Sequence, residues 1–270
     1  MKVFWLEQTE ADLPDGNEWL SESEAVRLNG MRFPKRQSEW RLGRWTAKRA
    51  LASCLKFRGG PEYLRLLEIR SAFSGEPQAF VEGKPAPVTV SLSHRAGVAL
   101  CTIVLSVANL GCDLEKIESR DDVFIADYFT REEQHSLAGV PVESRDWLVT
   151  LLWSAKESAL KALHEGLRLD TQSVNVQVGP SHGASLDDSD GKLRSKGRCH
   201  RAVWYPLEIQ FHETNLFQGC WCREGDLVRT IAVGAREIEP VPIELTSSRP
   251  LLLKARVHNP NLCSHEFAHS

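Results

Sequence analysis

The chain has no excess of positive charge, no long unbroken apolar run and no recurring cysteine pairs, and each absence removes a class of function. Its 33 Lys and Arg stand against 36 Asp and Glu, a net charge of −3. Nothing global therefore draws it to nucleic acid, and any basic site must be local. The longest apolar stretch, near Val98–Leu110, is interrupted and too short to span a bilayer. Met1-Lys2-Val3-Phe4-Trp5-Leu6-Glu7 meets an acidic residue too soon for a secretory signal. The seven cysteines (54, 101, 112, 199, 220, 222 and 263) are odd in number and scattered, and Cys220-Trp221-Cys222 is too tight for an ordinary zinc site. Together these features predict reduced thiols in a cytoplasmic protein with no membrane and no nucleic-acid partner. At 270 residues and 42% hydrophobic content, the chain can bury a real core, as one large domain or two packed halves.

The pattern along the chain predicts an α/β (α+β) fold. Val3–Leu6 reads as a strand. Ser21 with Glu24 three residues on is a capping-box signal for a helix over Ser21–Leu28. Gln37–Phe57 carries a longer helical pattern, stopped by Gly59-Gly60-Pro61. Val88–Leu92 and Val98–Val107 are β-rich, with Ser93-His94-Arg95-Ala96-Gly97 as their connector, and Leu110–Leu114 adds a strand. Helices follow around Ile125–Phe129, from Thr130, and over Asp146–His164; Val174–Val178, Ala202–Phe211 and Leu227–Val233 read as later strands. Ser181–Arg198 has the composition of a solvated loop, and the Pro-punctuated stretch beyond Glu239 reads as peripheral. The alternation of strands and helices puts a boundary near Val107–Gly111, giving subdomains over 1–108 and 109–239 and a tail over 240–270.

Two short stretches carry the chemistry. In Gly111-Cys112-Asp113-Leu114-Glu115 the two carboxylates lie two apart on a strand, so they share a face at roughly 6–7 Å. In Trp153-Ser154-Ala155-Lys156-Glu157-Ser158-Ala159-Leu160-Lys161, Trp153, Glu157 and Lys161 recur at helical spacing on one face. Three oxygen ligands and a cation suit a divalent metal holding a phosphate ester, because Mg²⁺ takes one or two carboxylates plus phosphate and water. Alone, Asp113-Leu114-Glu115 is equally a polar strand end, and Glu157–Lys161 equally a surface ion pair. Ser93 and His94 could contribute to an anion nest. Arg41, Arg44 and Lys48 form a basic helix face that could clamp a phosphate or simply face solvent.

The ordered set Ser93-His94, Gly111-x-Asp113-x-Glu115, Phe129-Thr130-x-x-Glu133 and Trp153-x-x-Lys156-Glu157-x-x-x-Lys161 resembles the Sfp-type 4′-phosphopantetheinyl transferases over about residues 30–180. The resemblance implies two pseudo-duplicated subdomains with the active site between them. It implies an enzyme, a holo-[acyl-carrier-protein] synthase, that transfers the phosphopantetheine arm of coenzyme A to a serine of an apo acyl, polyketide or peptidyl carrier protein. That reaction uses Mg²⁺ and releases 3′,5′-ADP. Carried over residue by residue, Asp113, Glu115 and Glu157 would hold the metal, and Lys161 would neutralise charge at the scissile bond. Glu133 would serve as general base, and Arg41, Arg44, Lys48, Ser93 and His94 would bind coenzyme A. One position departs: Gly75-Glu76-Pro77 puts an acid where the family often carries Gly-Lys-Pro, which predicts weaker coenzyme A contact there. A coenzyme A- or carrier-binding protein without turnover is the alternative that Glu76 motivates, and a metal-dependent phosphohydrolase is a third reading. Two halves in one chain predict a complete site in a monomer.

Overall fold

The computed structural model describes residues 1–57, 59–164, 168–179, 202–211, 215–234 and 239–245. The chain opens with β1 (Lys2–Thr9), α1 (Glu22–Asn29) and α2 (Pro34–Cys54). A small sheet of β2 (Leu67–Ser71), β3 (Pro77–Val81) and β4 (Lys84–Pro85) follows, then the hairpin β5 (Thr89–Arg95) and β6 (Val98–Val104). The second half runs β7 (Leu110–Lys116), α3 (Asp122–Tyr128), α4 (Arg131–Ala138), α5 (Val142–Ala162), β8 (Val174–Val178), β9 (Tyr205–Phe211), β10 (Asn215–Glu224) and β11 (Leu227–Val233), before β12 (Val241–Glu244). One sheet has the order β12-β1-β6-β5 and the other β7-β11-β10-β9-β8. The fold is thus mixed α and β, as the sequence predicted.

Local chemistry explains the element ends. Ser21 caps α1 and Glu24 reaches back to the Ser21 amide at 3.1 Å. Thr130 and Glu133 do the same for α4, at 2.8 Å. Pro34 supplies a preset φ where α2 begins. The β5–β6 connector is tighter than the sequence suggested. Arg95 already pairs with Val98, leaving Ala96 (φ 52°) and Gly97 (φ 77°) as a two-residue turn with left-handed backbone at both positions. Ser93 and His94 therefore sit in a strand and not in a turn. Strand β10 was not anticipated, because Gly219 interrupts its pattern. The tail beyond Glu239 is not peripheral over its first residues: β12 pairs in parallel with β1, from Lys2↔Val241 to Trp5↔Glu244. Pro242 is tolerated there because β12 is an edge strand. The loop reading at Ser181–Arg198 and the rest of the tail, 246–270, fall outside the described residues. The five described cysteines are free thiols.

Helix α2 packs on β1 and β6, and α5 packs on β7 and β11. Each helix closes a core of its own, around Trp45, Leu51 and Ile103 in the first half and Leu151, Leu160 and Ile209 in the second. A third cluster joins residues of both sheets, including Val3, Trp5, Leu100, Leu114 and Ile231, so the halves share a seam. On that seam the Ser91 hydroxyl accepts a hydrogen bond from the Cys112 amide at 3.0 Å.

The approach of α5 to β7 is close at one point. A Cβ on Gly111 would collide with the Ser158 carbonyl and stand 2.8 Å from the Ala162 amide nitrogen, both helix backbone atoms. Backbone cannot rotate aside as a side chain can. Gly111→Ala should therefore lower stability by at least about 2 kcal/mol, read as a shift of the urea midpoint without a change in slope.

Candidate active site where β5, β7 and α5 meet

On β7 alternation turns Cys112 and Leu114 into the seam cluster and Gly111 and Asp113 toward α5, while Ser93 reaches Asp113 from β5. Asp113 is buried, 3% exposed, and accepts three hydrogen bonds from side chains of two elements, β5 and α5. Its Oδ1 accepts from Ser93 Oγ at 2.8 Å and from Lys161 Nζ at 2.7 Å; its Oδ2 accepts from Ser154 Oγ at 2.9 Å. Lys161 also donates to the Cys112 carbonyl at 3.1 Å. Glu115 lies two residues along β7, 3.4 Å from Arg95 Nε. Glu157 lies one turn before Lys161 on α5.

The electrostatics of these groups are coupled. Burial pushes the Glu157 carboxyl up, and the Asp113 charge pushes it further against the pull of Lys161. Burial likewise raises Glu115, aided by Asp113 and opposed by Arg95 and Arg120. Burial works against the Lys161 ammonium, but Asp113 and its neighbours outweigh it and hold the lysine above its ordinary value. The site thus keeps a firm cation beside three carboxylates that disfavour one another's charge.

Whether these residues suit a metal can be judged from their unspent atoms. Glu157 Oε1 is buried and accepts no hydrogen bond, and the buried Glu115 Oε2 has only the Arg95 guanidinium at 3.4 Å, outside hydrogen-bond geometry. Buried anionic oxygens without donors are costly, and a divalent cation supplies what they lack. Among the described residues, however, no three His, Cys, Asp or Glu side chains are already gathered as a ligand cluster. Asp113 is occupied by its hydroxyl and ammonium partners. The donor set fits a hard divalent cation in chemistry, with its carboxylates spread around Asp113 and not closed on one point.

The other anticipated residues fall elsewhere. His94 points to the opposite side of β5, exposed and 3.7 Å from Glu39 on α2. Arg41 donates to the carbonyls of Pro14, Asp15 and Gly16 at 2.8–3.2 Å, tying down that loop. Arg44 is buried over the Trp40 ring at 5.1 Å, and burial pulls its pKa down to about 10. Lys48 corrects the phosphate-clamp reading: it is fully buried, ion-paired with Glu24 and donating to the Trp19 carbonyl at 2.9 Å, so no phosphate reaches it. Glu133 is also buried, and its oxygens accept from the Thr130 and Val176 amides and from Lys156, each at 2.8 Å.

A cavity of about 550 Å³ borders Lys161 and is walled by Ser74, Glu76, Ser91, Leu92, His164 and Arg168. The acid at Glu76 does not leave this wall acidic. Its carboxylate is held low first by the Ser74 hydroxyl, then by His164 and Arg168 from the other half. Arg168 also donates to the Ser74 carbonyl at 2.8 Å. Ser154, Arg95, His164 and Arg168 escaped the sequence reading. A signal existed for Arg95, two residues from Ser93 and so on its face of β5, and for Ser154, one turn before Glu157.

Residues 109–205 match the 4′-phosphopantetheinyl transferase superfamily profile, a span that begins at β7 and contains Asp113, Glu115, Glu157 and Lys161. The chain is 33% identical over 86 residues to a holo-[acyl-carrier-protein] synthase of Streptococcus agalactiae, covering 32% of this chain and 72% of that protein. It is 25% identical over 183 residues to the 4′-phosphopantetheinyl transferase HetI of a Nostoc species, covering 67% of this chain and 74% of that protein. The chain belongs to the 4′-phosphopantetheinyl transferase superfamily. The superfamily match is confined to the half that carries the carboxylates, while the HetI likeness extends beyond it.

For this transferase the coupling among the carboxylates has a measurable consequence. Glu115 and Glu157 should titrate above the usual glutamate value of about 4.3, followed by carboxyl-carbon NMR. Asp113→Asn removes the like charge and should bring both midpoints down.

Proposed function

We propose that the enzyme moves the 4′-phosphopantetheine arm of coenzyme A onto a serine of an apo carrier protein, releasing 3′,5′-ADP, with Asp113, Glu115, Glu157 and Lys161 as its reacting set. The observation that carries the residue assignment is the Asp113–Lys161 contact at 2.7 Å, with Glu157 one turn away on the same helix. In the transfer a bond forms between the serine oxygen and the phosphorus of the pantetheine arm. The pyrophosphate bond to the nucleotide breaks, 3′,5′-ADP leaves with the bonding pair, and the serine proton is released to water as the oxygen attacks.

The residues divide the work. Asp113, Glu115 and Glu157 would hold Mg²⁺. A bound Mg²⁺ would supply positive charge to the pyrophosphate oxygens, which gain negative charge as the bond to the nucleotide opens. Lys161, kept protonated by Asp113, presents a fixed cation at the cavity wall for a phosphate oxygen. Ser93 and Ser154 hold the Asp113 carboxylate from two sides, so its orientation is set before substrate arrives. Arg168 adds positive charge to the same cavity, offsetting Glu76.

The test is intact-mass analysis of several apo carrier proteins incubated with the enzyme, coenzyme A and Mg²⁺. A gain of one phosphopantetheine, abolished by EDTA, is the expected result. Coenzyme A binding without any carrier gaining mass would leave a binder that does not turn over. Glu157→Gln and Lys161→Ala should each lower kcat by about 100-fold or more while the melting curve stays cooperative; a folded Glu157→Gln enzyme with full activity would sink the metal assignment.

A further inference from the structure

The two long helices carry nearly the same short sequence at the same place, differing by Thr46 against Ser154. Helices α2 and α5 are each 21 residues long. Trp45-Thr46-Ala47-Lys48 in the first and Trp153-Ser154-Ala155-Lys156 in the second begin equally far along them. Beyond each helix the chain turns through a left-handed residue, Lys56 (φ 52°) and His164 (φ 60°), again at matching distance from the tryptophan. Each helix lies on two antiparallel strands, β1 and β6 or β7 and β11.

The lysine of each copy is fully buried and meets a buried capping-box glutamate. Lys48 pairs with Glu24 and Lys156 with Glu133. In each pair one glutamate oxygen accepts from the amide of the helix-capping residue, Ser21 at 3.1 Å or Thr130 at 2.8 Å. The other accepts from the central amide of a strand, Ile69 of β2 at 3.1 Å or Val176 of β8 at 2.8 Å. Each ammonium stands over an aromatic ring just before the cap, Trp19 at 5.5 Å or Phe129 at 5.7 Å. Each also donates to backbone carbonyls, that of Trp19 at 2.9 Å or Thr171 at 3.0 Å. What differs is the residue next to the lysine: Arg49 in the first copy, Glu157 in the second. The position of Lys161 in the first copy is Ser53.

We infer that these are two copies of one bracket that fixes each helix to its cap and strand, and that Glu133 acts through Lys156 as a positioning residue and not as the group that takes the carrier serine's proton. A base must face the reacting hydroxyl with a free oxygen. Both Glu133 oxygens are already donated to, and the cavity it borders, with Trp147, Leu152 and Asn175, is separate from the one that Lys161 lines. Glu24 makes the same contacts in a half without the reacting carboxylates, so the arrangement serves a purpose that needs no chemistry. That purpose is rotation. Lys156 and Glu157 are adjacent on α5 and point about 100° apart. Pinning Lys156 inward turns Glu157, and Lys161 one turn on, toward Asp113.

The inference rests on the proposed transfer, and its tests separate the two. Melting curves and kcat would be measured for Glu133→Gln, Lys156→Met and the double variant, with Glu24→Gln and Glu24→Gln/Lys48→Met as the counterpart. Each single variant strands a buried charge and should lower Tm by about 10 °C. Each double variant should regain most of that loss, and Glu133→Gln/Lys156→Met should keep kcat within about tenfold of the wild type. A folded double variant with kcat down by about 100-fold or more would overturn the inference, since removing Lys156 cannot restore a missing base. Carboxylate footprinting of the wild-type enzyme with a water-soluble carbodiimide needs no variant to fold. Glu157 should be modified and Glu133 spared; labelling of Glu133 that coenzyme A and carrier suppress would contradict the bracket. Both the melts and the footprint read out even if no carrier is modified, in which case the transferase reading fails and the bracket stands.

Discussion

Helix α5 can rest on strand β7 only because residue 111 has no side chain, and the proposed active site follows from that contact. The Ser158 carbonyl and the Ala162 amide occupy the space a Cβ would fill. With the helix this low, Ser154, Glu157 and Lys161, on successive turns, come over Asp113, and the lysine reaches both the Asp113 carboxylate and the Cys112 carbonyl. A helix lifted by a methyl group would still pack its apolar face on the sheet, but its polar face would stand away from the carboxylates. The loss would fall on geometry first, where small displacements cost rate steeply.

The charges at this contact are arranged to be incomplete. Asp113 is well supplied, with two hydroxyls and an ammonium. Glu157 retains a buried oxygen with no donor, Glu115 has only the Arg95 guanidinium at 3.4 Å from its own, and burial with the Asp113 charge makes both reluctant to ionise. By contrast the buried glutamates of the two brackets are fully donated to. The chain thus holds two kinds of acid: the buried Glu24 and Glu133 are fully donated to, while the half-buried Glu157, and Glu115 beside Arg95, can take further positive charge. A duplicated frame with chemistry on one copy accounts for both kinds.

Much of this was legible in the sequence. The capping boxes at Ser21 and Thr130, the strand carrying Asp113 and Glu115, and the helix carrying Glu157 and Lys161 follow from local signals, and local signals need no partner to be read. The reading failed where distant partners decide. Lys48 shares its helix with Arg41 and Arg44 and looked like part of a basic face; its burial depends on Glu24, which only the fold brings to it. Glu133 fits a family motif, but Val176 and Lys156 claim it. The composition of Ser93–Gly97 reads as a connector, but the turn is only Ala96-Gly97, and the strand's alternation separates the pair, Ser93 inward and His94 outward. Strand β12 was hidden by its proline, which an edge position permits.

The central claim is that the carboxylates around Asp113 gather a divalent cation against the pyrophosphate of coenzyme A. Mn²⁺ in place of Mg²⁺ makes that claim visible, because a paramagnetic ion broadens the phosphorus signals nearest to it. Phosphorus NMR of the enzyme with bound coenzyme A should show the pyrophosphate signals broadened by Mn²⁺ well before the 3′-phosphate signal, and Asp113→Asn should abolish the difference. Broadening that is equal for all three phosphates, or unchanged by Asp113→Asn, would contradict the account.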